Sequence, residues 1–248
     1  IYSALKNGHE KRFIFMALGF CLVGVGLWLF HMTLRYEYQL LDELPMIYAT
    51  CIPFWLVFSE FQSKKTLAIV GVGIFSAANI LTAIYLHVKN PTLHQAAYAI
   101  LNAGIIIKLV ILTNTHVKDP KARANLMKMM VQGIVTFLTG YFLWNLDIHL
   151  CGFFRKTRRS WGMPYGFLLE GHGWWHILTG TGVYYYLVFE EYLRSFLKGT
   201  DEFFEVGHVF GFLPEVVCIN PKDLKHAEEN IVLAQEDAEF LADEKKRQ

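Results

Sequence analysis

Long apolar stretches alternate with short polar breaks along this chain. Residues 12–34, 43–61, 66–87, 91–113, 126–148 and 165–192 are mainly apolar, and breaks such as "FQSKKT", "VKNPT" and "RKTRRSWGMP" separate them. A helix needs about 20 apolar residues to cross a bilayer. In hydrocarbon every backbone N–H and C=O must be satisfied within the protein, so runs this long predict helices. A membrane barrel would show alternating segments of about 10 residues, and the sequence has none. The pattern predicts an all-α fold, a polytopic transmembrane helical bundle with six visible spans over residues 1–219. A charged tail, 220–248, reads as a surface helix. Gly24, Gly26, Gly71, Gly73, Gly133 and Gly140 fall inside the apolar stretches, where small residues let helices approach closely.

Composition narrows the class. Hydrophobic residues make up 54% of the 248 and charged residues 18%, below the quarter usual in soluble domains. The formal net charge of +1 gives no basis for binding nucleic acid or an acidic substrate. No obligate protein partner is expected. Cys21, Cys51, Cys151 and Cys218 form neither a CxxC motif nor a disulfide framework. Lysine and arginine near the helix ends set the orientation. One side gathers Lys6, Lys11, Arg12, Lys64, Lys65, Lys118, Lys121, Arg123, Lys128, Arg194 and Lys198; the other gathers Arg35, Lys89, Arg155, Lys156, Arg158 and Arg159. The richer side is expected to be cytosolic, with the tail on it. The ending "EKKRQ", with Lys245 and Lys246, resembles a dilysine retrieval signal. It points to the endoplasmic reticulum or Golgi membrane, although an ordinary charged helix end explains it as well.

Titratable groups at membrane depth are costly and call for a partner, a metal or water. His31 ends the first apolar stretch and Asp42 opens the second in "HMTLRYEYQLLDELP". Asp42 alone reads as a helix N-cap, with Pro45 in the first turn. "EGHGWWHILTG" then supplies His172 and His176 four residues apart. On a helix that spacing projects both imidazoles from one face, as metal ligation requires. With the expected topology His31, Asp42, His172 and His176 lie at one depth on the lumenal side. Three imidazoles leave one tetrahedral zinc position open, the pattern of hydrolytic rather than structural sites. Asp42 is then placed to accept a proton. His9, His87, His94, His116, His149, His208 and His226 read as loop or interfacial residues. Asp147, in "WNLD", is a second carboxylate at the membrane edge. Trp28, Trp144, Trp174 and Trp175 suit either core packing or a lipid path.

"FHMTLRYEYQLLDELPMIY" and "EGHGWWHILTG" together resemble the alkaline ceramidase family, in particular its fungal members. The resemblance covers nearly the whole membrane region and implies a seven-helix membrane hydrolase fold. It implies hydrolysis of the ceramide amide to a sphingoid base and a free fatty acid. His31, His172 and His176 match the family's zinc ligands, and Asp42 matches its acidic partner. Two departures stand out. The family pattern Ser-x-x-x-His becomes "LWLFH" here, with Leu27 at the serine position. "IYSALKNG" resembles the loop that follows the family's first helix, so by this resemblance that helix and the acidic segment that binds Ca2+ in family members are expected to be missing from this chain. By the same resemblance Cys151 would find its disulfide partner in that segment.

The residues also fit three alternatives. Leu27 favours a zinc-bearing but catalytically impaired homologue. A lipid-sensing receptor of the same superfamily would bind without turnover. A transporter would use the polar helix residues as a pathway, but no helix pair is broken by Gly and Pro in the way transporters require.

Overall fold

The computed structural model describes residues 1–247, with side chains described through residue 234. The chain folds as two compact units, Ile1–His116 and the remainder from Val117. Among the described residues, five helices are long and apolar enough to cross a membrane. Large apolar side chains such as Phe15, Leu22, Val72, Ile100 and Phe142 are exposed along them, as lipid-facing positions should be.

In the first unit a short helix α1 (Tyr2–Lys6) precedes four long ones: α2 (Lys11–Thr33), α3 (Tyr36–Phe58), α4 (Lys64–Val88) and α5 (Pro91–His116). Ser63 caps α4 by accepting the Thr66 N–H, satisfying one of the orphan donors at a helix start. α3 is central, packing against α2, α4 and α5. Gly19 of α2 lies against Ala49 of α3, and Gly26 against Leu41. Rising numbers on one helix meet falling numbers on the other, so the pair is antiparallel. Trp55 Nε1 donates to the Leu67 carbonyl at 2.8 Å, joining α3 to α4. Near the other end Tyr48 reaches Thr82 at 3.0 Å.

The second unit is built on α6 (Pro120–His149) and α8 (Gly171–Lys198). Asp119 caps α6 through the N–H groups of Lys121 and Ala122, with Pro120 in the first turn. Gly133 lies opposite Gly182, and Gly140 opposite Leu178, so these helices are also antiparallel. Between them in sequence come α7 (Cys151–Trp161) and a 3-10 turn, Tyr165–Leu169. After α8 come β1 (Phe204–Val209) and β2 (Leu213–Cys218), paired antiparallel from Phe204↔Cys218 to Val209↔Leu213. Tyr184 of α8 donates to the Pro214 carbonyl at 2.7 Å and holds the hairpin against the helix. The tail forms α9 (Pro221–Arg247), tied to α8 by Lys198 and Glu228 at 2.9 Å. Lys245 and Lys246 lie outside the residues whose side chains are described.

The helical architecture agrees with the sequence, with four corrections. The expected sixth span begins at Gly171 rather than residue 165, because the 3-10 turn takes up the preceding residues. α8 has the length to span, but its Gly, His, Trp and Tyr content leaves it outside the five sufficiently apolar helices. α3 begins at Tyr36, so Asp42 is its seventh residue and not an N-cap, and Pro45 is internal. "RKTRRSW", read as part of a polar break, is helical. No disulfide links the four cysteines.

Candidate metal centre

The first unit carries His31 and Asp42. His31 sits in the last turn of α2, which Leu34 ends in a left-handed conformation, φ 52°. Arg35 is extended and α3 starts at the next residue. So tight a connection keeps the end of α2 beside the start of α3. Pro45 has no N–H, so the Leu41 carbonyl lacks its intrahelical donor. That carbonyl faces Gly26, where a Cβ would overlap its oxygen. Only glycine admits this approach, and it sets the Gly26 level of α2 against the backbone of Asp42. Leu27 is half-buried there, while Val25 and Trp28 beside it are 52% and 60% exposed. Asp42 Oδ1 is buried, and among the described residues nothing donates a hydrogen bond to it. A buried polar atom left in that condition is costly.

The neighbouring carboxylate is held firmly. Glu43 accepts from Tyr85 Oη and, at 3.0 Å, from Gln39 Nε2. His94 Nε2 is 2.7 Å from the Glu43 carbonyl oxygen. Tyr85 and His94 are 2% and 5% exposed. His94 is therefore a buried strut between α5 and α3, not the interfacial residue expected. Sequence spacing held no signal for it, because its partner lies 51 residues away.

The second unit carries His172 and His176. Their rings are 4.6 Å apart between centroids on α8, as i,i+4 spacing requires. Trp144 of α6 meets His172 edge-on at 6.4 Å and stacks on Trp175 at 5.5 Å. These indoles pack as a wall beside the imidazoles. Trp174 donates to the Leu168 carbonyl at 3.1 Å. Glu170 makes no side-chain cap for α8. Asp147 does so from α6 instead, accepting the His172 backbone N–H on Oδ2 at 3.2 Å. The approach needs Gly171, where a Cβ would crowd Leu143 O and Asp147 Cβ. Arg158 of α7 lies 3.7 Å from Asp147 Oδ1 and donates to Glu170 at 2.6 Å. Its other bond, at 3.3 Å, goes to the Leu169 carbonyl. An acidic cap and an arginine clamp thus fix where α8 begins, and with it the direction of both histidines. Sequence reasoning marked Asp147 but missed Arg158 and Glu170, whose pairing depends on how α7 folds back on the turn before α8. His149 is exposed at the end of α6.

Long apolar helices that bear paired imidazoles and half-buried carboxylates are those of a polytopic membrane protein whose histidines could hold a metal ion. The chain belongs to the ceramidase family, whose model, described as Ceramidase, matches residues 1–217. It is 46% identical over 206 residues to alkaline ceramidase YPC1 of Saccharomyces cerevisiae, covering 78% of this chain and 65% of the yeast protein. That match therefore spans less than two thirds of the yeast protein. It is 35% identical to alkaline ceramidase 3 of Mus musculus, over 87% of this chain and 78% of the mouse protein. Alkaline ceramidase of Arabidopsis thaliana is 23% identical over 90% of this chain and 80% of its own length.

Proposed function

We propose that this chain is a zinc-dependent intramembrane amidase that hydrolyses ceramide to a sphingoid base and a free fatty acid. His31 joins His172 and His176 as the ligands of one ion, and Asp42 is the general acid–base. The observation that carries the reading is the buried Asp42 Oδ1, which no described residue satisfies. A water proton, and later the proton carried to the leaving group, would satisfy it. The donor set fits as well: imidazole suits zinc, and three of them leave room for a further ligand. When bound, the ion supplies Lewis acidity toward the amide carbonyl and makes water more acidic.

The chain's own residues do the rest. The three imidazoles hold their positions at helix ends, two of them on a helix start clamped by Asp147 and Arg158. Asp42 takes a proton as water adds to the amide carbon. It returns the proton to nitrogen as the C–N bond breaks, so the sphingoid base leaves as a neutral amine and the acyl chain as an acid. The exposed apolar helix surfaces admit a two-tailed lipid from the side. The α9 tail lies on the cytosolic side in this reading.

Purified protein incubated with a panel of phytoceramide, dihydroceramide and unsaturated ceramide tests the proposal. Sphingoid base should be released from at least one. Release should stop with a zinc chelator and return when about one equivalent of zinc is restored. Undiminished release in the chelator would remove the metal from the reaction.

Leu27 favours a second reading, a homologue that binds metal and lipid but turns over slowly. Leu27 is half-buried at the level of Asp42, where it offers no hydrogen bond to a developing oxyanion. One such donor is worth about 10²–10³ in rate. Leu27→Ser should raise ceramide turnover by about one to three powers of ten with zinc content unchanged. Equal rates for the two proteins would show that the position contributes no donor.

A further inference from the structure

α7 starts at the residue after Leu150, which also ends α6. α6 is long and apolar enough to span the membrane, so α7 begins where a span reaches the surface. With 11 residues it is too short to cross. Its sequence, CGFFRKTRRSW, divides cleanly when wound at 3.6 residues per turn. Phe153, Phe154 and Trp161 fall on one arc and Arg155, Lys156, Arg158 and Arg159 on the other. Phe153 is 65% exposed and Trp161 52%, and the exposed apolar surface continues through Met163 and Tyr165. Arg158 turns inward to Asp147 and Glu170. Arg155, Lys156 and Arg159 are exposed, and no described carboxylate pairs with them.

We propose that α7 is an interfacial docking surface for anionic phospholipid. Its aromatic arc lies among the upper acyl chains, and Arg155, Lys156 and Arg159 lie against the phosphates. Two observations select this occupant. Aromatic side chains beside a cationic face are the pattern of helices that lie in the plane of the interface. Position at the end of a span puts that face at headgroup depth, where an acidic protein segment would have to compete with a continuous sheet of phosphates. Each cation should favour anionic over zwitterionic lipid by about fivefold at low ionic strength, the equivalent of the usual attraction per Lys or Arg near such a surface. The proposal does not depend on ceramide hydrolysis.

The test reconstitutes the full chain in phosphatidylcholine bilayers with trace spin-labelled phosphatidylglycerol or spin-labelled phosphatidylcholine. Electron paramagnetic resonance then gives the fraction of each probe immobilised by the protein. Wild type should hold the anionic probe on the order of 10²-fold more strongly at low ionic strength, and added salt should weaken that preference. Arg155→Gln/Lys156→Gln/Arg159→Gln should remove most of it, while Arg155→Lys/Arg159→Lys should retain it. If the triple variant does not fold, Lys156→Gln alone should lower the preference by about fivefold. A folded triple variant with unchanged selectivity would overturn the proposal. So would a wild-type protein that holds both probes equally, the result expected if α7 instead serves an acidic protein partner.

Discussion

Asp42→Asn is expected to give a folded, zinc-loaded protein whose ceramide turnover falls by about 10²–10⁴, the range for removing a positioned general acid–base. That loss corresponds to about 3–5 kcal/mol of barrier. The substitution keeps the size of the side chain, and Asp42 is internal to α3, so no cap is lost. Its Oδ1 has no described donor to forfeit. The fold around it rests on other groups: Leu41 against Gly26, and Glu43 held by Tyr85, Gln39 and His94. The effect should therefore appear in kcat, with zinc content and the thermal midpoint close to wild type. Undiminished turnover would leave Asp42 without a part in the chemistry. Loss of zinc together with activity would move it into the metal's ligand set.

His172→Ala should abolish stoichiometric zinc and turnover together. A ligand contributes more than an outer hydrogen-bond partner, whose loss alone usually lowers metal affinity or activity by about 10–100-fold. The start of α8 should survive, because Asp147 bonds the backbone N–H of residue 172, which alanine retains. Trp144 loses an edge contact but keeps its stack on Trp175. Metal analysis of the purified variant, with its circular dichroism as a check on folding, decides the matter. Full zinc in a folded His172→Ala protein would remove the proposed centre, whatever its activity.

Much of this is legible in the sequence. In lipid, length and apolarity nearly define a helix, and five of the six expected spans meet both criteria in the structure. The pairing of His172 with His176 was equally legible, because a local helical period decides which residues share a face. Where local rules compete, the reading failed. Pro45 marked a helix start, yet α3 runs through it. "RKTRRSW" read only as a polar break because its charge hides that it continues a helix begun at Cys151. The hairpin Phe204–Val209 with Leu213–Cys218 went unnoticed beside stronger helical signals.

Local pattern was enough to establish a helical membrane protein, two imidazoles on one helix face, and a histidine and an aspartate flanking one short turn. Each follows from interactions within a few residues or from the hydrocarbon's demand that backbone groups be satisfied. Long-range packing made Asp42 an interior helical residue whose buried oxygen no described residue satisfies. It also decided that Asp147 and Arg158 set the start of α8, and that His94 is a strut. Those outcomes depend on partners 11 to 51 residues away. Two of these approaches, at Gly26 and Gly171, also need a missing side chain so that a carbonyl or carboxylate can come close. No local period records which carbonyl or carboxylate will be waiting there.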